Sequence, residues 1–385
     1  MNFIKNNIFL FFKKFAKKNL EKKKILFFYL VDSFYFKIIK QKSSYKNSIT
    51  IVRFDAIGDF IIYVSSNNII PKQYLSFKKI LICNELVFDV AKSLKIFDQI
   101  IPINLNKFKG NLIYRLQIYN QLVSLETYIA LQPTFSRRFE TGDSVIRFIS
   151  AKIKIGFNGD FINQDKIFRL ISDRWYNELI EPENIIKMEI ERNHEFIEKV
   201  SKEKIIYKKM TPPILTKLNN RKEIKGRYII ISPGSSSKIK CWPKHNFQNL
   251  VKFILDKYKL KILICGTKSE LPLMKDIIKN INSDLIHLSS NQTLIEYVEI
   301  IRNAELLIGN DSSSIHIANF VNTKSICLYG GILHRRFLPY PSNINNPPII
   351  CSNRDCKSRE WKCAKYHNCL SKIRVEDVVD LIDIN

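Results

Sequence analysis

The sequence lacks the short glycine and cysteine patterns that identify common cofactor and metal sites. It has 11 glycines in 385 residues, and neither the dinucleotide pattern G-x-G-x-x-G nor the phosphate-binding pattern G-x-x-x-x-G-K occurs. A paired C-x-x-C is also absent, although four of the eight cysteines lie near the end, at Cys351, Cys356, Cys363 and Cys369. These absences exclude both nucleotide fingerprints and leave two interpretations of the four cysteines, a loosely spaced zinc site or reduced thiols.

Long apolar runs are absent as well. No stretch reaches the roughly 18 apolar residues that a membrane-spanning helix needs, since Lys13 and Lys14 interrupt the first run and Asp32 interrupts the second. No small-residue cleavage site follows a clean apolar core, so a secretory signal is not expected. We therefore expect a cytoplasmic protein with reduced cysteines.

Positive charge is in excess and unevenly placed. The chain has 62 Lys and Arg against 36 Asp and Glu, and residues 1–48 alone contain 12 lysines, no arginine and two acids. This segment predicts a helix with one apolar and one basic face, which hold Ile4, Ile8, Phe11, Phe12 and Phe15, and Lys13, Lys14 and Lys17, respectively. The pattern indicates a helix lying on an anionic membrane surface, at the cytoplasmic face of the inner membrane. The alternative is a helical extension that packs on the protein itself.

Beyond residue 48, strand and helix patterns alternate twice. The first series has strands at Ser48–Phe54, Lys79–Cys83, Gln99–Pro102, Thr127–Leu131 and Lys152–Gly156, and the second has strands at Tyr228–Ser232, Lys261–Cys265, Leu285–His287, Glu305–Gly309 and Lys324–Tyr329. Apolar strands separated by helices predict parallel sheets covered on both faces. The expected architecture is α/β, with two Rossmann-like domains at 49–212 and 213–340. A Pro-Pro break at Thr211–Pro213 would join them, and a cysteine-containing tail would follow at 341–385.

Small and charged residues collect where predicted strands end. The first such loop contains Asp59, in the stretch RFDAIGD, and the second contains Ser235, Ser236 and Lys240, in PGSSSKIKCWP. Ligands of doubly wound folds bind at the carboxyl ends of the strands, where small residues and lysine can approach a phosphate. The ordinary alternatives are a helix cap for Asp59 and a solvated serine loop.

Two further loops lie in the second series. The stretch GNDSSSIHIA contains Asp311, Ser312, Ser313 and His316 between a strand and a helix; helix N-termini of this kind attract anions. Thr267 and Glu270 follow a third strand and are candidate nucleoside contacts.

The order of these motifs resembles glycosyltransferase family 9, the heptosyltransferase family of lipopolysaccharide assembly. IVRFDAIGDF, PGSSSKIKCWP and GNDSSSIHIANFVNTKSICLYGG are similar to its three loop motifs, and NHEFIEKV to its helix before the interdomain linker. The resemblance covers about residues 49–385. It implies a GT-B fold with the two domains facing a central cleft, and inverting, metal-independent transfer from a nucleotide-diphosphate sugar to a lipid-linked glycan. No cofactor or nucleic-acid partner is implied.

The resemblance also implies residue roles. Asp59 matches the general base that takes the acceptor proton, and Lys240 matches the lysine that neutralises the leaving diphosphate. Asp311 matches a carboxylate that helps hold the donor, while Ser312 and Ser313 would donate to its phosphates. Ser313 replaces a frequent glycine, and Lys268 replaces an acidic ribose contact, which leaves the nucleotide unassigned.

Two other function classes fit part of the sequence. A non-catalytic nucleotide-sugar-binding relative would keep the loops and lose the reaction, but Asp59, Lys240 and Asp311 are all in place. A membrane- or nucleic-acid-binding protein would use the basic N-terminus and leave the three loop motifs unexplained.

Overall fold

The computed structural model describes residues 2–65, 69–205, 224, 226–331, 334–341, 344, 347–352 and 369–384, with side chains from Leu20 onward. The chain divides into two compact units. Unit 1 comprises Met1–Phe54, Ser76–Glu85 and Phe97–Glu181, and unit 2 comprises Asp55–Leu75, Leu86–Ile96 and Pro182–Asn385. The helix that carries Asp59 therefore groups with unit 2, although it follows the first strand of unit 1. The Pro-Pro break at residues 211–213 lies outside the described residues.

Each unit contains a sheet of six parallel strands within the described residues. In chain order the strands are β1 Lys46–Arg53, β2 Lys78–Asn84, β3 Gln99–Ile103, β4 Thr127–Gln132, β5 Ala151–Phe157, β6 Glu178–Ile180, β7 Tyr228–Ser232, β8 Lys261–Cys265, β9 Ile286–Ser289, β10 Leu306–Asn310, β11 Ser325–Tyr329 and β12 Ile349–Ser352. The orders are β3-β2-β1-β4-β5-β6 and β12-β11-β10-β7-β8-β9. Both are doubly wound orders, so in each sheet the order of the strands reverses beside the first strand of that sheet.

The helices cover these sheets. In chain order they are α1 Asn2–Ile38, α2 Ile57–Val64, α3 Phe88–Ser93, α4 Leu105–Gly110, α5 Leu112–Val123, α6 Ser144–Phe148, α7 Lys166–Asp173, α8 Glu189–Ser201, α9 Lys244–Tyr258, α10 Leu271–Ile278, α11 Leu294–Arg302, α12 Ser313–Val321 and α13 Val375–Val379. The predicted α/β class and the ten predicted strands are confirmed to within a few residues.

The central strands are apolar because both of their faces are covered. In unit 2 all five residues of β7 and of β10 are buried, and Ile229, Ile231 and Ile308 belong to one apolar core with Phe247 of α9. Unit 1 has its own core, in which Val52 and Ile82 pack with Phe148 and Tyr119. Two separate cores confirm the prediction of two α/β units.

The N-terminal extension is helical throughout α1, and its second half packs on unit 1. Phe28 and Asp32 are buried, while Tyr35 and Phe36 contact the ring of Phe148. This half follows the alternative that the sequence left open, an extension that packs on the protein. The apolar and basic faces predicted for residues 4–17 involve side chains outside the described ones. No helix in the described part of the chain is both long enough and apolar enough to cross a bilayer.

An ion pair fixes this half of α1. The Arg115 guanidinium of α5 donates from Nε to Asp32 Oδ1 at 2.9 Å and from Nη2 to Asp32 Oδ2 at 2.6 Å. Tyr119 donates to the same carboxylate at 2.8 Å. Asp32 interrupts the apolar run in the sequence because it is the partner of a buried arginine.

Candidate functional site

The serine-rich loop and the loop before α12 meet where the strand order in the sheet of unit 2 reverses. β7 and β10 are neighbours, with Ser232 paired to Gly309 at their carboxyl ends. The chain leaves β7 into the serine-rich loop and leaves β10 into the N-terminus of α12. Because doubly wound sheets bind ligands at this reversal point, the topology places both loops at the expected ligand position.

A buried ion pair joins the two loops. Lys240 Nζ lies 2.6 Å from Asp311 Oδ2, and both residues are less than one-tenth exposed. Lys240 ends a short 3-10 turn, Lys238–Lys240, and Asp311 follows β10 directly. Because breaking a buried ion pair is costly, the pair holds both loops in one arrangement.

Asn310 fastens the serine-rich loop at both ends. Its Nδ2 donates to the carbonyl oxygen of Pro233 at 2.6 Å, and its Oδ1 accepts from the backbone N–H of Trp242 at 3.0 Å. The Trp242 indole in turn donates to the carbonyl oxygen of Ile373 at 2.9 Å. Sequence reasoning missed Asn310, because its partners lie 77 and 68 positions away in the chain.

The N-terminus of α12 offers polar groups suited to an anion. Ser312 is the residue before the helix, and its buried hydroxyl has no hydrogen-bond partner among the described residues. The first N–H groups of a helix have no carbonyl partner within it, and the helix dipole adds positive potential. Ser235 approaches the same point, since its hydroxyl donates to the carbonyl oxygen of Asp311 at 3.3 Å. Ser236 is exposed in the same loop.

A chain of hydrogen-bonded hydroxyl groups stabilises the start of α12. Ser232 Oγ lies 2.8 Å from Ser314 Oγ, and Tyr297 of α11 donates to Ser314 Oγ at 2.8 Å. Burial raises the pKa of Tyr297, so its phenol stays protonated and can donate. No local pattern predicts the role of Tyr297, which lies 17 residues before its partner.

His316 is a buried, neutral histidine on α12. Burial lowers its pKa to about 4, with a smaller opposing effect from Asp311. Its Nδ1 lies 2.8 Å from the Tyr340 hydroxyl, which fixes the ring. At neutral pH the imidazole can therefore exchange hydrogen bonds but supplies no positive charge.

The start of α2 lies against the start of α12. A Cβ added to Gly58 would come within 3.0 Å of His316 Cδ2 and 3.6 Å of Ser313 Cα, so glycine permits this close approach. Asp59, the next residue, is partly buried in the first turn of α2. Although Gly58 and His316 are 258 positions apart in the chain, the structure brings the first sequence motif beside the third.

Thr267 and Glu270 are hydrogen-bonded to each other. The Glu270 carboxylate accepts from the backbone N–H of Thr267 at 2.7 Å and from its hydroxyl at 2.9 Å. A side chain at Gly234 would collide with that same carboxylate. Both candidate nucleoside contacts therefore border the serine-rich loop, with Glu270 already engaged as a helix cap.

The cysteine cluster is only partly described. Cys351 is buried and Cys369 is half-buried, whereas Cys356 and Cys363 lie outside the described residues. Over the described ranges, no group of three or more His, Cys, Asp or Glu side chains is placed to hold a metal ion. A zinc site at these cysteines stays a sequence-based hypothesis.

Comparison with known proteins gives a family match and several relatives. The profile of glycosyltransferase family 9 (heptosyltransferase) matches residues 144–367. The chain is 30% identical over 158 residues to lipopolysaccharide heptosyltransferase 1 of Campylobacter coli, and 28% identical over 158 residues to lipopolysaccharide heptosyltransferase 3 of Escherichia coli K12. Each match covers 40% of this chain and 45% of the relative, so the chain spans less than half the length of these relatives.

Solved structures extend the likeness to the whole fold. The E. coli heptosyltransferase WaaC with ADP-2-deoxy-2-fluoro heptose superposes with a TM-score of 0.62 at 14% identity, over 86% of this chain and 98% of that one. A family 9 glycosyl transferase from Veillonella parvula gives a TM-score of 0.68 at 13% identity, over 89% and 97%. At these identities the likeness establishes the fold, and it confirms the predicted GT-B class.

Proposed function

The chain belongs to glycosyltransferase family 9, and from that premise we propose that it transfers a heptose or similar sugar from a nucleotide-diphosphate donor to a lipopolysaccharide or other cell-surface glycan. The observation that carries the proposal is the cluster of polar groups at the end of β10. There the buried Lys240–Asp311 pair lies beside the unpartnered hydroxyl of Ser312 and the N-terminus of α12. A diphosphate needs this combination of fixed positive charge and preorganised donors.

The leaving group sets the main chemical demand. When the glycosidic bond to the donor breaks, negative charge grows on the nucleotide diphosphate and must be stabilised. Lys240 would supply a point charge, while Ser312, Ser313 and the first N–H groups of α12 would donate hydrogen bonds. These groups provide the positive potential that a divalent cation supplies in other phosphate sites, so we propose transfer without a metal.

Asp311 has a positioning role in this scheme. Its carboxylate orients the Lys240 ammonium and keeps the pair near neutrality before the donor binds. On binding, the ammonium would share its hydrogen bonds between Asp311 and a phosphate oxygen. The lysine is thus held in place before the reaction, and little reorganisation accompanies the loss of the leaving group.

Asp59 is the proposed general base. Inverting transfer requires a carboxylate on the face of the sugar opposite the leaving diphosphate, within reach of the acceptor hydroxyl. Gly58 brings the start of α2 against His316, so Asp59 lies next to the helix that would bind the phosphates. Neutral His316, oriented by Tyr340, is suited to hydrogen bonding with a sugar hydroxyl.

The proposed acceptor is a class of molecule, and its chemistry determines the proposed location of the protein. The relatives named above include lipopolysaccharide heptosyltransferases, and we propose a lipid-linked glycan acceptor bound by unit 1. Such an acceptor lies at a membrane, which suits a peripheral protein at the cytoplasmic face with a lysine-rich N-terminus. The family match does not favour a non-catalytic relative or a nucleic-acid-binding protein.

A donor screen tests the proposal. The purified full-length chain is titrated with ADP, UDP, GDP and CDP, and the corresponding sugar nucleotides are then incubated with a lipid-linked core glycan and followed by mass spectrometry. We expect one nucleotide diphosphate to bind and its heptose-type sugar to be transferred without added metal, in the presence of a chelator. Failure of every nucleotide diphosphate to bind at millimolar concentration would overturn the donor site. Binding without any transfer would favour the non-catalytic alternative.

A further inference from the structure

One side of α1 carries large apolar side chains that no described residue covers. Leu20, Phe27, Leu30, Phe34 and Ile38 are 69%, 55%, 60%, 67% and 62% exposed. The first, second and fourth are seven residues apart, about two helical turns, and the last three are four residues apart. They therefore lie on one side of the helix over a length of about 27 Å. We call these five residues the α1 stripe.

The contacts of α1 with unit 1 fix the direction in which the stripe points. Phe28 and Asp32 are buried on the opposite side of the helix, and the Asp32 carboxylate accepts hydrogen bonds from both Arg115 and Tyr119. A rotation of α1 that buried the stripe would break this ion pair and strand a buried arginine. The exposure of the stripe is thus built into the packing of the helix.

The charges beside the stripe are predominantly positive. Lys23, Lys24 and Lys37 are exposed on the same half of the helix, and the acid Asp32 is neutralised by Arg115 in the interior. Glu21 is the single exposed acid among residues 20–38. Apolar side chains flanked by lysines match the boundary between acyl chains and anionic headgroups.

We propose that the α1 stripe is the surface by which the protein docks on an anionic bilayer, with α1 lying in the plane of the interface. Two copies of the chain would fit this surface poorly, because pairing two stripes would bring the flanking lysines together. The inference rests on the proposed peripheral location and identifies the residues responsible for it. It does not depend on the transfer reaction, because docking requires neither donor nor acceptor.

The test is co-flotation of the full-length protein with vesicles of phosphatidylethanolamine and phosphatidylglycerol in a 3:1 ratio, without any sugar nucleotide. The double variant Leu30→Glu/Phe34→Glu removes two apolar anchors and adds two negative charges. We expect at least a tenfold loss of vesicle affinity. Substitution suits this purpose better than deletion of residues 1–45, since deletion also removes Phe28 and Asp32 from the interior of unit 1.

The matched control is Ile185→Glu/Ile186→Glu, which makes the same change of charge at two exposed isoleucines of unit 2. We expect the control to bind vesicles like the unchanged protein, and both double variants to keep its melting temperature. Replacing Lys23 and Lys37 by alanine should weaken binding to anionic vesicles and leave binding to pure phosphatidylcholine unchanged.

Equal vesicle affinity of the stripe variant and the control overturns the proposal. So does a dimer in light scattering that the stripe variant alone dissociates, because the stripe would then be a contact between two copies. Transfer to a water-soluble acceptor should be unaffected by the stripe variant, which separates this inference from the proposed reaction.

Discussion

At the scale of single residues, the site is organised around one buried lysine. Lys240→Ala should weaken nucleotide-diphosphate binding by about 1.5–3 kcal/mol, the range for hydrogen bonds to charged groups, because one charge-assisted phosphate contact is lost. Isothermal titration calorimetry measures the dissociation constant of the nucleotide diphosphate for each variant. Lys244→Ala is the matched control, since Lys244 is exposed and pairs with Asp276 at the surface. If Lys240→Ala and Lys244→Ala both left the dissociation constant for the nucleotide diphosphate unchanged, Lys240 would not be part of the donor site.

Asp59 allows a sharper separation of binding from chemistry. Asp59→Asn keeps the shape of the side chain in the first turn of α2, whose N-cap is Ala56, so folding and donor binding should persist. Turnover should fall by at least roughly 10²-fold, the lower limit for loss of a general base. The measurement combines turnover, nucleotide affinity and melting temperature. Near-normal turnover would show that Asp59 is not the general base.

The sequence predicted the residues of this site better than it predicted their contacts. Lys240, Asp311 and Ser312 follow strand ends in motifs with a recognisable order, so local pattern was sufficient to place them at one edge of the sheet. Asn310 and Tyr340 were missed because each acts on a residue that is distant in the chain, at separations of 77 and 24 positions. Hydrogen bonds across such distances leave no periodic signal.

At the scale of elements, the fold follows from apolar runs. The ten predicted strands are recovered because central parallel strands are apolar on both faces, which makes a run such as YIII of β7 unmistakable. β6 and β12 were missed, since they are edge strands of three and four residues with mixed composition. The half of α1 described with side chains was predicted as a helix, but its contact with unit 1 depends on Arg115, which is 83 positions away.

That contact makes α1 a structural element of unit 1. Asp32→Ala should destabilise the protein by about 3–5 kcal/mol, because Arg115 would remain buried without its partner. Urea denaturation followed by circular dichroism measures the loss. Glu21→Ala on the exposed side of the same helix is the control and should change stability by less than about 0.5 kcal/mol. The double variant Asp32→Leu/Arg115→Met should recover much of the stability. Equal midpoints for the two single variants would show that the ion pair does not anchor α1.

The approach of α2 to α12 is a second element-scale feature. Gly58→Ala places a Cβ 3.0 Å from His316 Cδ2, closer than such atoms normally come, so one helix start must shift. We expect a cost of about 1–3 kcal/mol in stability, the range for overpacking, and a fall in turnover that exceeds the fall in donor affinity. Gly110→Ala is the control, because its added Cβ would meet only the end of the Lys24 side chain at 4.0 Å. If both alanine variants turned over like the unchanged protein, the close approach would have no catalytic consequence.

At the scale of the whole molecule, the two units differ in their histidine content. All six histidines lie in the ranges of unit 2, and unit 1 contains none. Burial lowers the pKa values of His194 and His316 to about 4. Each of them must therefore be neutral in the folded state, and protonation favours unfolding.

The sign of the resulting pH dependence follows from these depressed pKa values. The stability contributed by a neutral buried histidine is fully present above its unfolded pKa of about 6.5 and is lost as the pH falls toward the folded value. Between pH 6.5 and pH 5, protonation of His316 alone should lower the stability of unit 2 by about 1.5 kcal/mol, slightly less than the full slope of about 1.36 kcal/mol per pH unit would give. Hydrogen exchange at pH 7 and pH 5, corrected for the intrinsic rates, reports each unit through its own peptides. Peptides of β7 and β10 should lose protection at pH 5 more than those of β1 and β4, and His316→Asn should reduce the difference. Equal loss in both units would show that acid acts through groups common to both, such as the carboxylates, rather than through the buried histidines of unit 2.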